Sequence, residues 1–447
     1  MSHVPKLERL ATGLRGRTLK TAKLASRLGM RYAKRTLGRA ATEVTPEMRA
    51  QAVERAESLV EELGALKGLV MKIGQIASYM PGAMSPEAQR VLSRLQAKTT
   101  AMVYERVEEV VREELGGPPD ALFDDFEPTP FAAASIGQVH RASVDGRPVA
   151  VKVQYPGIED VLRSDLRAVG VLARMSAVGT RLDGGALVAE LRARMLEECD
   201  YRVEARHQEL FHRLWSNQQG NHVPEVVRSH SARRVLTTAL VDASDFQSFC
   251  DEAPVEARNR AAEIIFRTCF ETVFHRCIYN ADPHPGNYLF HDDGEVTFLD
   301  FGCVRRFDPD MIDRWKRVAL SVVNGDRAAF RKRYVEAGFC TDPRRFDWDH
   351  QWEVMRYLYL PFTQKEPFTY THDYVQKSYG LMIFDNPNKA RTAMPPDWLF
   401  VNRLQWGLNS VLAFLGATGP WPEIWRAAVE SETCPALPVP AEGPLPD

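Results

Sequence analysis

The segments 280-NADPHPGN-287 and 288-YLFHDDGEVTFLDFG-302 hold the side chains best suited to chemistry. The second reads as a hairpin turning at Asp293-Gly294, a dipeptide that accepts the positive φ of a tight turn. Asn287 and Asp300 stand at its two ends, so strand pairing would bring an amide oxygen and a carboxylate side by side. Asp282 lies just before, on the loop that feeds the hairpin. Two hard oxygen donors suit Mg2+, which prefers oxygen ligands and keeps phosphate oxygens in its shell. A second carboxylate nearby, Asp282, can act as catalytic base, orienting an attacking hydroxyl or water. The expected chemistry is phosphoryl transfer.

A second set lies upstream, in 131-FAAASIGQVHRA-142 and 149-VAVK-152. Lys152 sits among valines on an apparent strand, where burial is costly unless a negative charge meets it. Nucleotide phosphates and a helix carboxylate would supply that charge, and Glu204 is the candidate carboxylate. The order D-x-x-x-x-N then D-F-G, downstream of V-A-V-K, is that of the kinase signature. Alone, a DFG tripeptide or a strand lysine more often marks a turn or a snorkelling surface charge; the ordered combination selects the phosphate site. The kinase loop pattern G-x-G-x-x-G-x-V falls on Ala132, Ala134, Gly137 and Val139, so only the third glycine remains. Glycines let backbone N–H groups approach phosphates and accept positive φ. The run Ala132, Ala133, Ala134, Ser135 is confined to ordinary φ/ψ, so a stiffer loop is expected to cover ATP or ADP.

Two helical patterns complete the constellation. In 72-KIGQ-75, Lys72 and Gln75 share a helix face, and Gly74 between them implies close approach by another element. In 197-EECDYRVEA-205, Asp200 and Glu204 are spaced i,i+4 on an expected long helix from Gly185 to about Trp215, with Glu198 nearby. Clustered like charges repel unless cations intervene; Lys152, Mg2+ and Lys72 are those available. Each pattern alone would pass for a solvated helix face.

Together these six ordered motifs, over residues 55–310, resemble the UbiB/AarF (ADCK/Coq8-type) family of atypical protein-kinase-like proteins. The resemblance implies a two-lobed protein-kinase-like fold using ATP/ADP and Mg2+. It implies that the KxGQ helix folds across the active site, with Lys72 paired to Glu198, restraining protein-kinase activity. It also implies a link to isoprenoid quinone (ubiquinone) biosynthesis, lipid association, and ATPase or unorthodox kinase activity. The family's histidine two residues before the catalytic-loop Asp is Asn280 here, an amide in place of an imidazole that packs and hydrogen-bonds the loop.

The elements that must position these residues follow from punctuation and periodicity. The chain divides into a basic leader (1–44), a helical KxGQ extension (45–117), an N-lobe (118–245), a helical C-lobe carrying the catalytic loop and DFG (246–432) and a Pro-rich tail (433–447). Strands are expected around 127–135, 138–144, 148–154, 223–227 and 234–240, with Asp145-Gly146 as a hairpin turn, and a helix over 255–275. This is an α+β arrangement of two unequal lobes.

The 447 residues are 45% hydrophobic and 26% charged, an ordinary globular composition, and the net charge of −2 gives no reason to expect nucleic acid. Seven cysteines without CxxC spacing argue for reduced thiols rather than disulfides or zinc. Residues 1–39 carry eleven Lys/Arg against Glu8 alone, a basic amphipathic pattern suited to an anionic membrane surface. The most apolar stretch, 399–417, contains Asn402, Arg403, Gln405 and Asn409 and reads as an amphipathic helix rather than a span. The expected setting is cytoplasmic, soluble or peripheral to a membrane, with nucleotide and quinone-like lipids as partners. The leading function is an ATP-dependent atypical kinase or ATPase. A nucleotide-gated lipid-binding scaffold and a small-molecule phosphotransferase are the alternatives.

Overall fold

A computed structural model describes residues 102–134, 136–163, 196–215, 220–280, 283–384, 386–388, 391–392 and 398–435. The leader, the KxGQ motif (Lys72, Gly74, Gln75), Ser135 and Asp282 lie outside the described residues. The chain forms two compact units, one of residues up to 205 with 226–240, the other of 206–225 with 241–442.

In the first unit, helix α1 (Tyr104–Leu115) lays Val107, Val110 and Val111 on an antiparallel sheet and stops at Gly116, whose φ of 82° supplies the left-handed C-cap. The sheet runs β1 (Asp125–Phe126), β3 (Gly137–Val144), β4 (Arg147–Gln154), β5 (Val235–Ala239), with β2 (Ala132–Ala133) also on β3. Asp145 and Gly146, at φ 49° and 71°, make the β3–β4 turn that the Asp-Gly dipeptide predicts. Strand alternation then sends Val149, Val151 and Val153 into the core and Lys152 to the opposite face. Of the strand expected at 127–135 only β2 forms, with β1 lying just before it, because Pro128 and Pro130 between them withhold ladder donors. Residues 223–227 form only an isolated bridge, Val226 to Thr238, for the same reason at Pro224.

Helix α2 (Tyr201–Trp215) starts later than the periodicity predicts, and the division between the units falls within it. Residues 198–199 form a turn, and the Tyr201 N–H goes to Arg233 O at 2.8 Å.

In the second unit, α3 (Val255–Arg276) is the central helix, with twelve buried residues. It ends at Cys277 in the left-handed conformation, which turns the chain directly into β6 (Ile278–Asn280). Strands β7 (Tyr288–Phe290) and β8 (Val296–Phe298) form the expected hairpin, with Gly294 at φ 86°. A side chain at Gly294 would run into the backbone of Ala257 on α3, so glycine is required twice over. Strand β9 (Val304–Arg306) pairs with β6. Helices α4 (Pro309–Val323), α5 (Trp398–Leu415) and α6 (Trp421–Glu430) belong to the same core. Helix α5, expected to be amphipathic, is instead a core helix: Val401, Leu404, Leu408, Val411, Leu412 and Leu415 are each at most 3% exposed. No helix among the described residues is long and apolar enough to cross a membrane.

Candidate functional site

Lys152 and Glu204 meet. Nζ lies 2.7 Å from Oε1 and 2.9 Å from Oε2, and the two side chains are only 17% and 7% exposed. The lysine leaves β4 opposite the core valines and the glutamate sits on the first turn of α2. That turn is fastened by Gln154, which donates to Cys199 O at 3.1 Å, and by the Tyr201–Arg233 bond. Helix swing is thereby opposed at the end where Glu204 sits. A buried ion pair gains little stability over an apolar pair of similar volume, so its presence here is better explained by use than by support.

Asp200 does not stack over Glu204. It stands just ahead of α2, accepting from the Arg202 N–H at 3.0 Å and pairing with the Arg202 guanidinium at 3.0 Å. An aspartate at this position satisfies a donor that the first helical turn leaves open, and its charge suits the positive helix end. That preference ends the upstream turn and puts Glu198 and Asp200 on a bend rather than on one long helix. The expected Lys72–Glu198 pair involves a residue outside those described.

The alanine-rich loop is an ordinary tight hairpin. Ala132 and Ala133 pair with Val139 and Gln138, and Ala134 N donates to Gly137 O at 2.9 Å. None of its described residues has positive φ, so those positions ask nothing that alanine cannot supply. Ala132 and Ala133 are exposed, while Ile136 turns inward and its carbonyl accepts from Tyr155 N.

In the second unit the β7–β8 ladder continues one step further, with Leu299 N donating to Asn287 O at 3.0 Å. Asn287 therefore stands across from Leu299, one residue from Asp300. The Asp300 carboxylate is oriented by Gly302 N, 2.8 Å from Oδ1. Its backbone carbonyl accepts from the side-chain amide of Asn280, whose own place is fixed by pairing with Val304. The amide thus makes a hydrogen bond to the DFG segment from the position of the histidine. Phe301 is fully buried against Phe211, with His207 Nδ1 3.2 Å from its carbonyl. Asn287 and Asp300 offer the hard oxygen donors that Mg2+ accepts. Among the described residues no cluster of three His, Cys, Asp or Glu could hold a metal.

Three supports were missed in the sequence. Asn280 and the β6–β9 pair hold Asp300, and no periodic pattern marks strands of three residues. Gly407 on α5 is the third: a Cβ there would collide with Pro283, the residue after Asp282. A glycine inside a helical run is the available signal for such an approach.

A family model described as the ABC1 atypical kinase-like domain matches residues 94–334. The chain is 29% identical over 326 residues to the atypical kinase COQ8, mitochondrial, of Saccharomyces cerevisiae, covering 71% of this chain and 64% of that protein. It is 32% identical over 290 residues to the mitochondrial atypical kinase COQ8B of Rattus norvegicus, covering 64% and 55%. It is 33% identical over 288 residues to an aarF domain-containing protein kinase, chloroplastic, of Arabidopsis thaliana, covering 64% and 41%. The chain thus spans less than two thirds of these curated relatives. Among solved structures, the Rv3197–erythromycin complex of Mycobacterium tuberculosis is similar at a TM-score of 0.65 and 27% identity, over 88% of this chain and 99% of that one.

Proposed function

The chain belongs to the ABC1 atypical kinase-like family, and from that membership we propose that it is a Mg-dependent ATP-binding atypical kinase or ATPase. The observation that carries the reading is the lysine held bidentately by a helix glutamate in a nearly dry setting. In this reading Lys152 positions the α/β-phosphates, Ala132 to Gly137 cover them, and Asn287 and Asp300 hold Mg2+. Bound there, the cation would neutralise charge on the phosphate oxygens. Asp282 is assigned the role of orienting the acceptor hydroxyl or water, on its place in the D-x-x-x-x-N motif.

Restraint of protein-kinase activity by the KxGQ helix, with Lys72, Gly74 and Gln75 on it, is part of the proposal. The alanine-rich hairpin supports it, since a loop that keeps one glycine of three has fewer ways to close over a nucleotide. The kinship with COQ8-type proteins supports a place in isoprenoid quinone or other lipid metabolism, with the basic segment 1–39 as the membrane-facing element. The test is ATP turnover by the full chain, with and without anionic liposomes and quinone-like headgroups. Stimulated turnover is the expected result. Lipid binding with no turnover in any condition would replace the enzyme by a nucleotide-gated scaffold.

A further inference from the structure

We propose that Tyr201 is a positioning residue for Lys152, and that Gly137 survives in the alanine-rich loop because the Val153 carbonyl, and beside it the Tyr201 hydroxyl, leave no room for a side chain, rather than to approach phosphate. This rests on the nucleotide reading of Lys152 given above and adds a residue to it. Tyr201 is 1% exposed, and its ring centroid lies 4.8 Å from Lys152 Nζ. The ammonium is therefore held from two sides, by the Glu204 carboxylate and by the face of an aromatic ring. The carboxylate fixes direction through two hydrogen bonds. The ring attracts the cation without accepting an N–H in a fixed line. In a setting this dry such a contact is stronger than at a surface.

The ring cannot easily leave. Its backbone N–H is bonded to Arg233 O, and the turn just before it is tied to β4 by Gln154. The hydroxyl end reaches over Gly137, where an added Cβ would stand 3.0 Å from it and would overlap the Val153 carbonyl. Gly137 pairs with Gln154 in a regular β3–β4 ladder and is not among the positive-φ glycines. It thus occupies the third kinase-loop position for reasons of packing. One glycine, one tyrosine and one ion pair form a continuous contact from the loop to the lysine, which pattern reading alone treats as separate motifs.

The test compares Tyr201→Met, close in volume but without a ring, with Tyr201→Phe and Lys152→Ala in the full chain. Mg·ATP is titrated against each, and thermal unfolding is followed in parallel. The expected result is affinity weakened roughly ten-fold in Tyr201→Met, the size of a desolvated cation–π contact, and largely restored in Tyr201→Phe. A merely structural tyrosine would lower thermal stability in Tyr201→Met while leaving affinity per folded molecule unchanged. That outcome, alongside lost binding in Lys152→Ala, overturns the Tyr201 role alone. Unaltered binding in Lys152→Ala overturns the nucleotide reading and the Tyr201 role with it. Should Tyr201→Met fail to fold, Tyr201→Leu carries the same comparison, and affinity unchanged from the native chain in Tyr201→Leu would again overturn the role.

Discussion

Replacing Glu204 by glutamine leaves the Lys152 ammonium in a site where its side chain is only 17% exposed and its partner 7%. Breaking a buried pair by removing one charge costs about 3–5 kcal/mol, whereas replacing both partners by apolar residues is often near neutral. Water still reaches part of Lys152, so the lower end applies, about 3 kcal/mol for Glu204→Gln. The double variant Lys152→Met/Glu204→Leu should lie within about 1 kcal/mol of the native chain, since it removes both charges and keeps the volume. Urea unfolding measures both. The functional consequence runs the other way: the stable double variant should bind Mg·ATP no better than the unstable single one. A double variant that is stable and binds nucleotide like the native chain would refute the reasoning, because the pair would then be mere support.

Two further outcomes follow from particular contacts. His140 is fully buried, its Nδ1 2.8 Å from Glu127 O and its Nε2 2.9 Å from the Gln138 amide, and burial holds its pKa below the ordinary value. The unfolded imidazole takes up a proton the folded one resists, so stability is full above about pH 6.5 and is lost as pH falls, by at most about 1.4 kcal/mol per unit. Melting curves between pH 7.5 and 5 should show that slope, and His140→Gln should flatten it; identical slopes would assign the loss elsewhere. Gly407→Ala drives a methyl into Pro283, an overpacking worth about 1–3 kcal/mol. It should lower both melting temperature and Mg·ATP affinity, and a change in neither would detach α5 from the catalytic loop.

What the sequence made legible is what rests on local rules. Asp145-Gly146 and Asp293-Gly294 mark hairpins because few other dipeptides take their backbone angles. The Lys152–Glu204 contact was legible across 52 residues because a lysine between buried valines demands a counter-charge. The errors came from competition that spacing cannot show. Asp200 fits a helical period, but its short carboxylate bonds the Arg202 N–H more favourably from outside the helix. Helix α5 carries polar residues along its length, yet it is taken into the core because neighbouring elements cover it. Strands β6 and β9 are too short for alternation, and only Cys277 in its left-handed turn sets their start. The role of Tyr201 had no sequence signal beyond its place between Asp200 and Glu204.

The most direct measurement is a calorimetric titration of ATP into the full chain and its Asp300→Asn variant, each with and without Mg2+. The native chain should bind ATP in a Mg-dependent, saturable manner, and Asp300→Asn should lose the Mg dependence and at least ten-fold in affinity, about 1.4 kcal/mol. Equal affinities in the two proteins, or binding indifferent to Mg2+ in the native chain, would contradict the assignment of Asn287 and Asp300.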